Sequence, residues 1–198
     1  MERLTTQITS ALRLMPEGTL LRANALLHLG SRAAIDQSLS RLVKRSVLMR
    51  VGRGLYVLPV ETRFGVVAPS TQALIDQLSE QTGEIIVSSG AVAANRLGLT
   101  TQVPVQEIYL TSGRSRMMHL GNRVIQLRHA RKWELSFARR RAGEALRALG
   151  AIGPTGLEDA LAKLRTTLPD AEFNILLTAA GQAPAWMATA LSRQRALG

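Results

Sequence analysis

The chain has 198 residues, no cysteine, 46% hydrophobic and 20% charged residues, and 25 lysine and arginine residues against 14 aspartate and glutamate, a formal charge of +11. This composition excludes a disulfide scaffold, thiolate zinc sites and thiol chemistry, and its apolar fraction excludes a wholly disordered chain. No apolar run approaches the ~20 residues that span a bilayer, and the N-terminus carries an early acid and no continuous apolar stretch of a secretory signal, so a cytoplasmic globular protein without a membrane partner is expected.

Residues 5–14 have the spacing of a first helix, with Ile8, Leu12 and Met15 on one face, broken by Pro16-Glu17-Gly18. Thr19-Leu20-Leu21 then reads as a short extended piece. A second helix is expected over 23–29, closed by Gly30 as its C′ residue, and Ser31 reads as the N-cap of a third helix running to about residue 45. Helix, glycine turn, helix is the pattern of a helix-turn-helix.

Unwrapped at 100° per residue, the third helix places Ile35, Leu39, Leu42 and Val43 within one core stripe. The opposite side carries Ala33, Gln37, Arg41, Lys44 and Arg45, with Ser40 beside them. Small residues, an amide and cations on one face suit entry into a major groove, where Gln37 can pair with adenine and Arg41 with guanine. Asp36 falls at the core edge, within reach of Arg32 or Ser40. A solvated surface helix would show a similar wheel, and the following segment argues against that reading. Residues 47–59 form two apolar-rich runs flanking Gly52-Arg53-Gly54, a hairpin with a lone arginine at its tip, Tyr56 facing the core and Pro59 ending the strand. A helix-turn-helix followed at once by a basic-tipped hairpin defines a winged helix. The candidate DNA-binding residues are Ser31, Arg32, Ala33, Gln37, Ser40, Arg41, Lys44, Arg45, Arg50 and Arg53.

Leu39-Ser40-Arg41-Leu42-Val43 followed by Arg50-Val51-Gly52-Arg53-Gly54-Leu55-Tyr56 resembles the N-terminal winged helix of AbiEi-like antitoxins of type IV toxin–antitoxin systems. The likeness covers residues 5–60 most closely, and the run 88–99 resembles the small-residue helix of that family's second domain. The resemblance implies a repressor that binds double-stranded DNA at repeats in its own promoter and opposes a nucleotidyltransferase toxin encoded beside it. One departure is that Arg22-Ala23-Asn24 leaves only Asn24 as a cap for the second helix, where the family offers a hydroxyl or an acid.

Residues 61–69 read as a linker, and a second domain begins beyond it. A helix capped by Ser70 is expected over 70–81, a strand over 84–88, a helix over 89–97, and strands over 106–111, 116–120 and 123–128. The remainder, from about 136 to 197, reads as helical, interrupted at 150–156, 168–170 and 181–184. The fold class is therefore α+β, with a winged helix-turn-helix domain over 1–63 and, over 64–198, a mixed α/β domain ending in helices.

The charge follows these elements. Residues 1–63 hold ten basic and four acidic residues, 64–130 five and four, and the rest ten and six. Only Lys44, Lys132 and Lys163 are lysines, so the excess sits mainly on guanidinium forks suited to phosphate and guanine edges, although GC-rich coding also favours arginine. Arg114, Arg116, Arg123 and Arg128 mark an accessory basic face, with a solvated sheet face as the equal alternative. Ser88-Ser89-Gly90 reads as an ordinary cap before a phosphate cradle, and Trp133 and Trp186 as packing anchors.

Materials for catalysis are few. His28, His119 and His129 lie apart without metal-ligand spacing, and neither a phosphate-loop, a nucleophile-elbow nor a nucleotidyltransferase pattern is present, so a non-enzyme without metal or cofactor is expected. Two other readings stand beside the autoregulating antitoxin: a winged-helix regulator with a ligand-sensing second domain, and an RNA-binding protein using the accessory face. One winged helix covers a half-site, and whether two copies act as monomers or a dimer stays open.

Overall fold

Ile8 and Leu12 line the buried face of α1 (Glu2–Leu12) in a computed structural model that describes residues 2–196. The helix ends earlier than its apolar spacing predicts. Arg13, Leu14 and Met15 close turns onto Thr9, Ala11 and Leu12, because the proline ring at position 16 disfavours helical dihedrals at the residue before it. Strand β1 (Leu20–Arg22) leads into Ala23–Leu29, a 3₁₀ helix. Arg22 gives this piece no side-chain cap, Asn24 is engaged elsewhere, and Gly30 is extended, so the expected Asn24 cap and left-handed C′ glycine are both absent. Ser31 does cap α2 (Arg32–Lys44), its hydroxyl accepting the Ala34 N–H.

The inner face of α2 buries Ile35, Leu39 and Leu42 together with Ser38, whose hydroxyl accepts a hydrogen bond from Thr5 Oγ1 at 3.2 Å. That bond offsets the desolvation of two hydroxyls under the helix pair. Next come β2 (Met49–Gly52) and β3 (Leu55–Val57), antiparallel, with β3 central in a three-stranded sheet of order β1-β3-β2. A register shift between Arg50 and Gly52 and a left-handed Gly54 at φ +67° shape the turn, a conformation glycine adopts without steric cost. Tyr56, opposite Leu21 and Arg50, joins the core formed by Ile8, Leu26, Ile35, Leu39 and Leu48.

Residues 61–69 are not a plain linker. Most of them form a second hairpin, β4 (Val60–Thr62) and β5 (Gly65–Val67), locked by the Thr62 hydroxyl, which accepts the Phe64 N–H and donates to the Gly65 carbonyl. All side chains from Glu61 to Val67 are exposed, so the period-two signal of a half-buried strand is missing.

Helix α3 (Thr71–Thr82), capped by Ser70, completes the first unit in an unforeseen way. Gln77 Oε1 accepts the Leu20 N–H at 2.7 Å, Gln77 Nε2 donates to the Gly18 carbonyl at 2.9 Å, and Gln81 Nε2 donates to the Leu20 carbonyl at 2.8 Å. β1 is the edge strand of its sheet, and the two glutamines, one helical turn apart, satisfy backbone groups that an edge leaves unpaired. The first unit extends to Gly83 and includes Met117–Ile125, beyond the boundary after residue 63 that the sequence suggests. Within that later segment lie most of β8 (Arg116–Leu120) and the start of its neighbour β9 (Arg123–His129).

The second unit comprises Glu84–Arg116 and the residues from Gln126 onward. Here β6 (Ile86–Ser88) pairs antiparallel with β7 (Glu107–Thr111), which stands between β6 and β9. Helix α4 (Gly90–Arg96) lies against α5 (Arg141–Ile152). A Cβ at position 90 would strike the Arg147 carbonyl and Ala151, so only glycine allows this approach. Ala93 and Ala94 on α4 and Ala142, Ala145 and Ala148 on α5 are further small buried residues of the two helices. Then follow α6 (Leu157–Thr167), α7 (Asp170–Thr178) and α8 (Ala185–Ala196), around Leu146, Leu161, Leu164, Phe173 and Leu176. The helical part begins at Arg141, later than the expected 136. One amide of its first turn is held by Glu172 of α7, which accepts the Ala142 N–H at 2.8 Å and two bonds from the Arg140 guanidinium at 3.0 and 3.1 Å. The molecule is α+β, and among the described residues no helix is long and apolar enough to cross a membrane.

Two outcomes follow from these caps. Gln77→Ala should lower stability by about 1–3 kcal/mol in urea denaturation, because it strands the Leu20 amide and Gly18 carbonyl, while exposed Gln72→Ala should stay within ~0.5 kcal/mol. The Ala142 N–H, then Arg140, hold the Glu172 carboxyl below the usual carboxylate range. A depressed acid contributes stability that is complete above its unfolded pKa and lost as pH falls through the folded one. Glu172→Gln should therefore be less stable than the parent at pH 7, with the gap closing on acidification; thermal unfolding across pH measures it.

Candidate nucleic-acid interface

The outer face of α2 is built by the same periodicity that buries its inner face. Ala33, Gln37, Ser40, Arg41, Lys44 and Arg45 are all exposed, and Asp36, Gln37, Ser40, Arg41 and Lys44 line an open groove of about 370 Å³. Small residues lie toward its N-terminal end and cations toward its C-terminal end, where positive charge also complements the helix dipole. Arg50 and Arg53 are exposed on the β2–β3 hairpin, Arg53 between the two glycines of the turn and Arg50 with its Nε donating to the Gly52 carbonyl at 3.3 Å. Among the described residues no carboxylate lies within ion-pair distance of Lys44, Arg45, Arg50 or Arg53.

Two of the predicted residues are committed to the scaffold. Ser31 is spent on capping α2. Arg32 forms an ion pair with Asp36 at 3.0 Å and donates through Nη1 to Asn24 Oδ1, tying the start of α2 to the 3₁₀ helix. The pair also neutralises the one carboxylate lining the groove, so Arg32 acts on the surface through Asp36. Ser40 donates to the Asp36 carbonyl at 2.7 Å.

The four arginines of the possible accessory face divide between the fold and solvent. Arg116 pairs with Glu84 at 2.9 Å, and the same carboxylate accepts the Thr111 hydroxyl at 2.8 Å. Arg123 donates to Thr71 Oγ1 at 3.0 Å and to the Pro69 carbonyl at 2.9 Å, fastening the start of α3. Arg128 lies 3.9 Å from Glu134, and Arg114 remains an exposed cation whose carbonyl takes a bond from Arg116. Two of these four arginines thus serve the fold. Trp133 and Trp186 pack against the core of the second unit as anticipated, and Ser89 begins α4 without a side-chain cap bond. Neither the glutamines of α3 nor the buried Ser38 are among the sequence candidates; Ser38 carries a signal, a polar residue within the apolar stripe of α2, whereas half-buried Gln77 and exposed Gln81 carry none.

The molecule is thus a two-unit α+β protein with an exposed cationic helix face and hairpin tip in its first unit. It belongs to a family of unknown function, DUF6088, whose pattern matches residues 7–172. No curated protein and no solved structure matches the chain.

The sorting of the accessory arginines has a measurable consequence. Arg116→Ala and Arg123→Ala should each cost about 1 kcal/mol of stability, because each removes charge-assisted hydrogen bonds to partly buried acceptors, whereas Arg114→Ala should change it by less than ~0.5 kcal/mol. Urea denaturation of the three variants separates the two roles.

Proposed function

We propose that the first unit is a winged helix-turn-helix that binds double-stranded DNA, with α2 as the recognition helix and the β2–β3 hairpin as the wing. The observation that carries this reading is the set of exposed cations on α2 and the hairpin, Lys44, Arg45, Arg50 and Arg53, which no carboxylate among the described residues opposes. A solvated helix normally mixes both signs to satisfy itself, whereas cations left without acids lower the free energy of a phosphate backbone brought against them. The order helix, strand, helical turn, helix, hairpin supports the winged reading, because it puts a basic tip in the chain directly after the candidate recognition helix.

In this account Gln37 and Arg41 read base edges and Arg53 with Lys44 holds phosphates. Arg32 is a positioning residue that keeps Asp36 from repelling the duplex. The resemblance to AbiEi-like antitoxins extends the proposal to a transcriptional autorepressor that acts on its own promoter and opposes a neighbouring nucleotidyltransferase toxin.

Gel shifts with the intergenic segment upstream of the gene, against a random duplex of equal length, test the assignment. Arg41→Ala should lose discrimination between the two by about 1–3 kcal/mol, while Arg53→Ala should weaken both alike and reduce the salt slope by about one. Equal loss on both duplexes for both variants contradicts the division of roles, and absence of binding by the parent contradicts the function.

A further inference from the structure

The second unit contains a cavity of about 380 Å³ that the DNA reading leaves unused, bordered by Arg128, Arg131, Trp133, Glu134 and Arg147, with Ile108 among its apolar walls. Its size falls within the range of roughly 300–1,000 Å³ usual for small-molecule sites. Three guanidinium side chains and one carboxylate give the lining an excess of positive charge.

That carboxylate is already occupied. Glu134 Oε2 accepts the Arg131 N–H at 2.8 Å, and Oε1 lies 3.9 Å from Arg128. Arg147, on α5, is 4% exposed, and among the described residues its guanidinium is bound only through Nη1, to the Glu134 carbonyl at a long 3.4 Å. On two of the residues that border the cavity a buried donor has no acceptor among the described residues, Arg147 Nε and Trp133 Nε1. Native structures rarely leave buried donors unpaired, least of all on a charged group, so this wall of the cavity is rich in positive charge and short of acceptors from the chain itself. Burial lowers the Arg147 pKa to about 10, against the opposing pull of Glu144 and Glu134, which keeps the guanidinium charged at neutral pH.

We propose that this cavity binds a small organic oxyanion, its charged end held by the Arg128, Arg131 and Arg147 guanidiniums that border it and its body resting against Ile108. A planar guanidinium suits phosphate and carboxylate ends alike. All the residues involved belong to the second unit, so the inference stands or falls apart from the DNA reading.

Trp133 and Trp186 are the only tryptophans, so Trp186→Phe makes Trp133 the sole reporter inside the full chain. Phenyl phosphate and benzoate are titrated at constant ionic strength set with chloride. At least one should give a saturable change in Trp133 fluorescence, phenyl phosphate if the natural ligand ends in phosphate and benzoate if it ends in carboxylate. Adding Arg147→Met should weaken the apparent Kd tenfold or more with circular dichroism unchanged, while adding Arg114→Ala should leave it as it was. The same probe should also raise the Tm of the unsubstituted chain, which keeps the test valid if either core variant fails to fold. No saturable response and no Tm increase with either probe, an equal response in Arg147→Met, or a response only to duplex DNA would each overturn the proposal.

Discussion

A guanidinium stays charged at neutral pH and loses hydration steeply on burial, so each arginine of a folded chain must either find acceptors or remain in water. With a formal charge of +11, this chain meets that constraint unevenly. Arg116, Arg123 and Arg140 are bound to carboxylates, hydroxyls or carbonyls that fix the starts of helices or the edge of a strand. Lys44, Arg45, Arg50 and Arg53 are left in water on one helix face and one hairpin. The proposed DNA-binding surface is this second set, and Arg32 links the two sets by holding Asp36.

The parts of the fold legible in the sequence are those whose signal is local. The stripe Ile35, Leu39 and Leu42, the Ser31 and Ser70 caps, and the glycines around Arg53 each carry a periodicity or a turn requirement that needs no distant partner. What stayed hidden depends on partners far along the chain. Gln77 and Gln81 look like ordinary surface glutamines until β1 is known to be an edge strand some sixty residues earlier. The β4–β5 hairpin buries almost nothing, so its residues show no alternation and read as linker. The candidate site divides the same way, since exposure follows from the helix period, whereas whether an arginine is already spoken for depends on where Asp36, Glu84 or Thr71 comes to lie.

The second unit meets the constraint differently. Its small residues allow α4 and α5 to pack closely, and that contact carries Arg147 into a place where it is charged, almost wholly buried and short of acceptors. Elsewhere the protein answers such a demand internally, as Glu172 does for Ala142 and Arg140. At Arg147 it does not, and the proposed oxyanion supplies the negative charge that this wall of the cavity lacks. A regulator of this design would combine a cationic DNA-facing unit with a second unit able to sense a small acid.

The claim on which the account turns is that unopposed cations of the first unit grip a duplex. The most direct measurement is the affinity of the full chain for its own upstream segment as salt is raised from about 50 to 200 mM, a range over which several phosphate contacts cost orders of magnitude in binding. The account predicts tight association at the low end and a steep linear fall of log K with log salt. Failure to bind at low salt, or binding that salt leaves unchanged, would contradict it.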